Sequence, residues 1–125
     1  VERATGLLLM GRSPDKTVKS VNKVLVRLLQ QSPLPVRTLT LDNGTEFHGY
    51  RAVEAATGVQ IYFARPHHPW QRGSNENTNG LVRQYLPKRT SMAGLTQRQC
   101  DQIAHKLNTR PRKRYGYLSP LQLIN

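Results

Sequence analysis

Leu39-Thr40-Leu41-Asp42-Asn43-Gly44-Thr45-Glu46-Phe47 places an acid, Asp42, directly after a short apolar run of extended character. Pro66-His67-His68-Pro69-Trp70-Gln71-Arg72-Gly73-Ser74-Asn75-Glu76-Asn77-Thr78-Asn79 places a second, Glu76, where a helix begins, and 33 residues separate the two. Carboxylates at the ends of rigid elements suit a divalent-metal phosphoryl-transfer site, because hard cations prefer oxygen ligands and lose affinity when those ligands swing. Asp-Asn-Gly alone is a common turn, since Asn and Gly accept positive φ. A lone Glu near a helix start is ordinarily a solvated residue favoured by the helix dipole. The combination carries the metal reading.

Around the first acid, Leu39 and Leu41 with β-branched Val36, Thr38 and Thr40 predict a strand that delivers Asp42 at its carboxyl end, where ligands gather in open α/β sheets. Phe47, Tyr50, Val53 and Ala56 then mark one face of a helix that Gly58 terminates, and Val59 to Phe63 read as another strand. Upstream, Leu7 to Met10 reads as a buried strand paired with Val1 to Ala4. Ser13-Pro14-Asp15 opens a helix with an apolar stripe of Val18, Val21, Leu25 and Leu28, ended by Ser32-Pro33-Leu34-Pro35. This alternation favours a mixed α/β sheet with crossover helices.

Around the second acid, Ser74 reads as a helix cap that puts Glu76 at the second helical position. Glu76, Asn79, Gly80 and Arg83 fall on one face and Leu81, Val82 and Tyr85 on the other, until Pro87 stops the helix. Thr96-x-x-Gln99 has the form of a capping box before a helix bearing Cys100, Ile103, Ala104 and Leu107. Ser119-Pro120 starts a last short helix over Leu121, Leu123 and Ile124.

A chain of 125 residues fits one domain. Its net charge of +12 favours a polyanionic partner, because each phosphate neutralised by Lys or Arg releases condensed counterions. The expected contacts are Arg65, His67 and Arg72 in the loop, Asn79 and Arg83 on the polar helix face, then Lys88 and Arg89, and Arg112-Lys113-Arg114 beside Tyr115 and Tyr117. His67 and His68 are adjacent, so their side chains diverge, and no cysteine completes a zinc set. A single cysteine, Cys100, excludes an internal disulfide and reads as a small core residue. No apolar run approaches the roughly 18 residues that span a bilayer, so no membrane partner and a cytoplasmic protein are expected.

Thr40 to Phe47 and Gln71 to Leu81, with Arg83 to Lys88 and Leu107 to Lys113, resemble the DDE transposases and retroviral integrases, most closely the bacterial insertion-sequence transposases of the IS-thirty family. The resemblance implies an α/β, ribonuclease-H-like mixed sheet flanked by helices. It further implies three acids that hold two Mg²⁺ or Mn²⁺ ions, with Asp42 and Glu76 as two of them. In that family the first Asp lies on a strand before a Val-Glu-Arg-x-Thr hairpin, here Val1 to Thr5. The chain is therefore expected to be an integrase-type core truncated at its N-terminus, a single partial domain over 1–125 whose residues 108–125 form a basic C-terminal extension. Glu2 and Asp15 do not fill the place of the first acid. The chain as given is expected to be inactive.

For the intact enzyme, the implied activity is metal-dependent cleavage and joining of DNA, with transposon ends and target as partners and a homo-oligomer as the assembly. No Ser, Cys or Tyr nucleophile is paired with a base, in keeping with direct displacement at phosphorus. The competing reading is a non-catalytic DNA-binding or assembly module in which the basic face survives and the acids are vestigial. A nuclease acting on RNA in hybrids is a third reading, which the family-specific blocks disfavour.

Overall fold

The computed structural model describes residues 1–41, 47–64, 73–87 and 92–124, with side chains in the third stretch from Asn77 onward. Its elements are α1 (Val18–Gln31), β1 (Thr38–Leu41), α2 (Tyr50–Thr57), β2 (Gln60–Phe63), α3 (Gly73–Val82), α4 (Gln97–Asn108), a 3-10 turn (Lys113–Tyr115) and α5 (Pro120–Ile124). They divide between two compact units, one formed by Gly11–Arg72 and the other by Val1–Met10 with Gly73–Asn125.

In the Gly11–Arg72 unit, β1 and β2 pair in parallel, with Thr38 opposite Gln60 and Leu41 opposite Phe63. A bond from Gln60 N to Arg37 O (2.9 Å) and one from Ala64 N to Leu41 O (2.8 Å) extend the ladder at both ends. The crossover α2 ends at Gly58, whose left-handed backbone (φ 74°) lets its N–H return to Glu54 O at 2.8 Å. The Glu54 carboxylate accepts the Ile61 N–H at 3.0 Å, giving a partner to a backbone donor of β2. Val53, Leu41 and Ile61 form the core, and Tyr50 meets Phe63 edge to face at 5.1 Å. Ala56 is exposed, so the apolar face of α2 is narrower than its spacing suggests.

Helix α1 starts at Val18, three residues after Asp15, because Thr17 is the cap and accepts from Ser20 N. Asp15 holds that cap in place, taking Thr17 N at 3.0 Å and Thr17 Oγ1 at 2.6 Å. Leu25, Val26 and Leu29 of α1 pack on the core.

In the second unit the capping box at Thr96 and Gln99 is present in both directions, and Cys100, Ile103, Ala104 and Leu107 of α4 are buried. Leu8 joins them, with Leu81, Val82, Tyr85 and Leu86 packed alongside. Leu7 to Met10 forms no ladder strand. Two backbone bonds, Glu2 N to Leu7 O and Gly6 N to Glu2 O, both at 2.8 Å, close the hairpin, and Leu8 instead pairs with the Asn108 side chain. Helix α3 begins at Gly73, so Ser74 lies inside it and Glu76 is its fourth residue. It ends at Val82, before Pro87, and Arg83 to Leu86 continue in tighter turns. Ser119 and Gln122 cap α5 reciprocally. Among the described residues no helix is long and apolar enough to cross a membrane.

Candidate metal and nucleic-acid site

Asp42 lies outside the described residues, as do Arg65, His67, Arg72, Lys88 and Arg89. Of Glu76 only the backbone, within α3, is described. The chain runs into Asp42 from Leu41, which is buried and hydrogen-bonded to Ala64 N at 2.8 Å. It runs into Arg65 from Ala64. Both segments therefore leave the paired strands at the same, carboxyl end of the ladder, the end at which α/β folds place their ligands.

Four of the seven acidic residues are described, and each already has a structural partner. Glu2 accepts from Ala4 N (3.0 Å), Thr5 N (2.7 Å) and Thr5 Oγ1. Burial raises its pKa, but the hydrogen bonds from Thr5 and Ala4 outweigh that and hold the carboxyl below its usual range. Asp15 is lowered by its bonds from the Thr17 hydroxyl and N–H. Glu54 serves Ile61 N, and Asp101 accepts from Gln97 Nε2 at 2.8 Å. No group of three potential metal ligands occurs among the described residues. The acids left are Asp42, Glu46 and Glu76.

The basic residues separate into two kinds. Asn79 and Arg83 are exposed, opposite buried Thr78 and half-buried Leu81 and Val82, which agrees with the two-faced helix read from the sequence. Lys113 and Arg114 are exposed as well, with the Arg114 guanidinium 4.6 Å from the centre of the Tyr115 ring. Arg112, expected at the nucleic acid, is only 8% exposed. One of its terminal nitrogens donates to Leu107 O at 3.3 Å and its Nε is buried without a partner among the described residues, so it is built into the fold and is not a surface contact. Burial lowers its pKa, Tyr115 raises it, and the neighbouring Arg110 and Arg114 lower it further.

Sequence reasoning missed one cluster. Lys106 and Arg110 sit 5.4 and 5.8 Å from the Tyr85 ring centre, and Arg110 donates to Tyr85 OH (2.7 Å) and Gln84 Oε1 (2.9 Å). Lys106 and Arg110 stand four apart, as residues on one helical face would, but Tyr85 lies on a different segment and nothing local in the sequence links it to them.

No protein-family model matches the chain. It is 47% identical, over 99% of its length, to the transposase for insertion sequence element IS1086 of Cupriavidus metallidurans. Over the same share it is 41% identical to that for IS4351 of Bacteroides fragilis and 42% identical to the transposase InsI for IS30A of Escherichia coli. It covers 37%, 39% and 33% of these proteins, and so spans between a third and two fifths of the length of the curated relatives it matches. The fold is similar to the catalytic core domain of BIV integrase, with a TM-score of 0.70 at 20% identity over 98% of this chain and 80% of that one.

Proposed function

We infer that this chain, whose homologues are insertion-sequence transposases of the IS-thirty family and whose fold is that of an integrase catalytic core, serves DNA transposition as part of a transposase. The observation that carries the reading is homology along 99% of the chain. The activity is cleavage of a DNA strand and its joining to a target, and it belongs to the whole protein, acting as an oligomer.

Asp42 and Glu76 are the residues we assign to Mg²⁺ or Mn²⁺. They are oxygen donors suited to a hard cation, and the described carboxylates are committed elsewhere. A bound divalent ion would supply charge stabilisation at the transferring phosphoryl group. In sequence Asp42 directly follows a strand end pinned by Ala64 N, and Glu76 belongs to helix α3, so each is the neighbour or member of a rigid element. Arg65, His67 and Arg72, which follow the adjacent strand, would hold the DNA backbone beside them. Asn79, Arg83, Lys88, Arg89, Lys113 and Arg114 are proposed as further DNA contacts. Two acids alone are too few to hold two ions about 4 Å apart, so the chain by itself is proposed to be inactive.

Strand cleavage and joining of element-end DNA by the full-length protein tests the assignment. Asp42→Asn or Glu76→Gln should reduce both by about a thousandfold or more, the loss of several kcal/mol of charge stabilisation, while DNA affinity holds or rises. Unchanged joining by either variant would remove that residue from the site.

A further inference from the structure

The segment after α4 closes on itself. Arg112 N donates to Leu118 O at 3.0 Å, Tyr117 N to Arg112 O at 2.8 Å and Leu118 N to Tyr115 O at 3.2 Å. Gly116 (φ 62°, ψ 34°) and Tyr117 (φ 65°) both take left-handed backbone conformations, the two central positions of a type I′ turn. Such turns favour Asn and Gly, because an L-residue at positive φ brings its Cβ against the backbone. Tyr117 is the only non-glycine residue with positive φ among those described. Burial does not compensate the strain, since Tyr117 is 67% exposed and Leu118 beside it 43%.

The base of the turn is firm, with Arg112, Ser119 and Pro120 all buried. Exposed Lys113 and Arg114 precede the tip, and Arg114 also reaches Arg3 O at 3.4 Å. No acidic residue occurs after Asp101. An aromatic ring held out against its backbone preference, just after two exposed cations in a stretch of sequence without acids, fits a polyanion that carries flat π faces. An apolar protein surface would have to desolvate those cations without offering them partners.

We propose that Tyr117 is a base-stacking contact with DNA, its ring lying on an unpaired or strand-terminal base while Lys113 and Arg114 take the adjoining phosphates. The inference rests on the DNA reading above and adds to it a residue and a form of DNA. Base faces are covered inside a duplex and open where the strand is single.

Binding of the 125-residue chain to a labelled oligonucleotide, single-stranded and as duplex, tests this, with a fluorescent adenine analogue reporting stacking. Tyr117→Gly should weaken single-strand binding about 5- to 150-fold, the range for one stacked base, and should lose the stacking signal. Tyr117→Trp should restore both. Tyr117→Gly relieves the turn, so its thermal midpoint should not fall. Wild-type affinity in Tyr117→Gly, with Lys113→Ala/Arg114→Ala weakened, would overturn the stacking role and leave the DNA reading standing. Loss of self-association in Tyr117→Gly without loss of DNA affinity would make Tyr117 a protein contact and overturn it too. Failure of the wild-type chain to bind either oligonucleotide would count against the DNA reading itself.

Discussion

The carboxamide of Asn108, the last residue of α4, pairs with the backbone of Leu8: Leu8 N donates to Asn108 Oδ1 and Asn108 Nδ2 donates to Leu8 O, both at 2.8 Å. This two-bond ring has the donor and acceptor pattern of a neighbouring strand, and it supplies to an extended segment what no described ladder provides. Both residues are buried, at 7% exposure each, so neither Leu8 group has water as an alternative.

Asn108→Ala should therefore destabilise the protein by about 2–6 kcal/mol, from two orphaned backbone groups at about 1–3 each, seen as a lower denaturation midpoint. Asn108→Asp sharpens the test. Its carboxylate could accept from Leu8 N but would face Leu8 O, so burial and that carbonyl would raise its pKa. The stability it provides should be present at acid pH, where the protonated group can donate, and lost as pH rises through the raised folded value. A flat pH profile for Asn108→Asp would contradict the pairing.

Glu2 and Asp15 have the opposite sign. Hydrogen bonds hold both below their ordinary values, outweighing for Glu2 the upward effect of burial, so each contributes stability above the unfolded-state pKa that is lost as pH falls through the folded one. With ordinary values of 4.5 and 3.8, the protein should weaken on acidification below about pH 4.5. Glu2→Gln with Asp15→Asn should lower stability at neutral pH and shallow the acid limb of a denaturation series. An acid limb as steep in the double variant as in the wild type would assign the loss to other carboxylates.

Local chemistry made α4 legible in advance: a Thr-x-x-Gln box and an apolar spacing that only a helix satisfies. The β1-α2-β2 order and the stop at Gly58 were equally plain. Leu7 to Met10 was misread because a four-residue apolar run says only that the segment is buried, and the partner of Leu8 lies 100 residues away. Arg112 was misread for the reverse reason, since a run of cations looks solvated until the turn around Leu118 folds one of them inward. Asp42 and Glu76 were picked out by motif, and the placement of their side chains lies outside the described residues.

His67, between Pro66 and Pro69 in the sequence that follows β2, is proposed as a contact with the DNA backbone. Its replacement by Ala in the full-length protein should slow joining with no fall in thermal midpoint. If the change unfolds the protein, or leaves joining intact, the residue belongs to the loop's architecture.

Arg112 separates a folding role from a binding one. Its guanidinium is buried, holds Leu107 O at 3.3 Å, leaves Nε without a partner and has two like charges nearby in Arg110 and Arg114. A buried charge with incomplete partners costs desolvation that an apolar residue of similar length avoids. Arg112→Met should therefore hold or raise the denaturation midpoint and leave DNA affinity and its salt dependence unchanged. Lys113→Ala and Arg114→Ala, on exposed side chains, should each leave stability within about 0.5 kcal/mol and reduce the slope of log K against log salt by about 1. If Arg112→Met reduced that slope as the other two do, the guanidinium would have to leave its buried position to meet a phosphate, and the turn from Arg112 to Leu118 would have to open on binding.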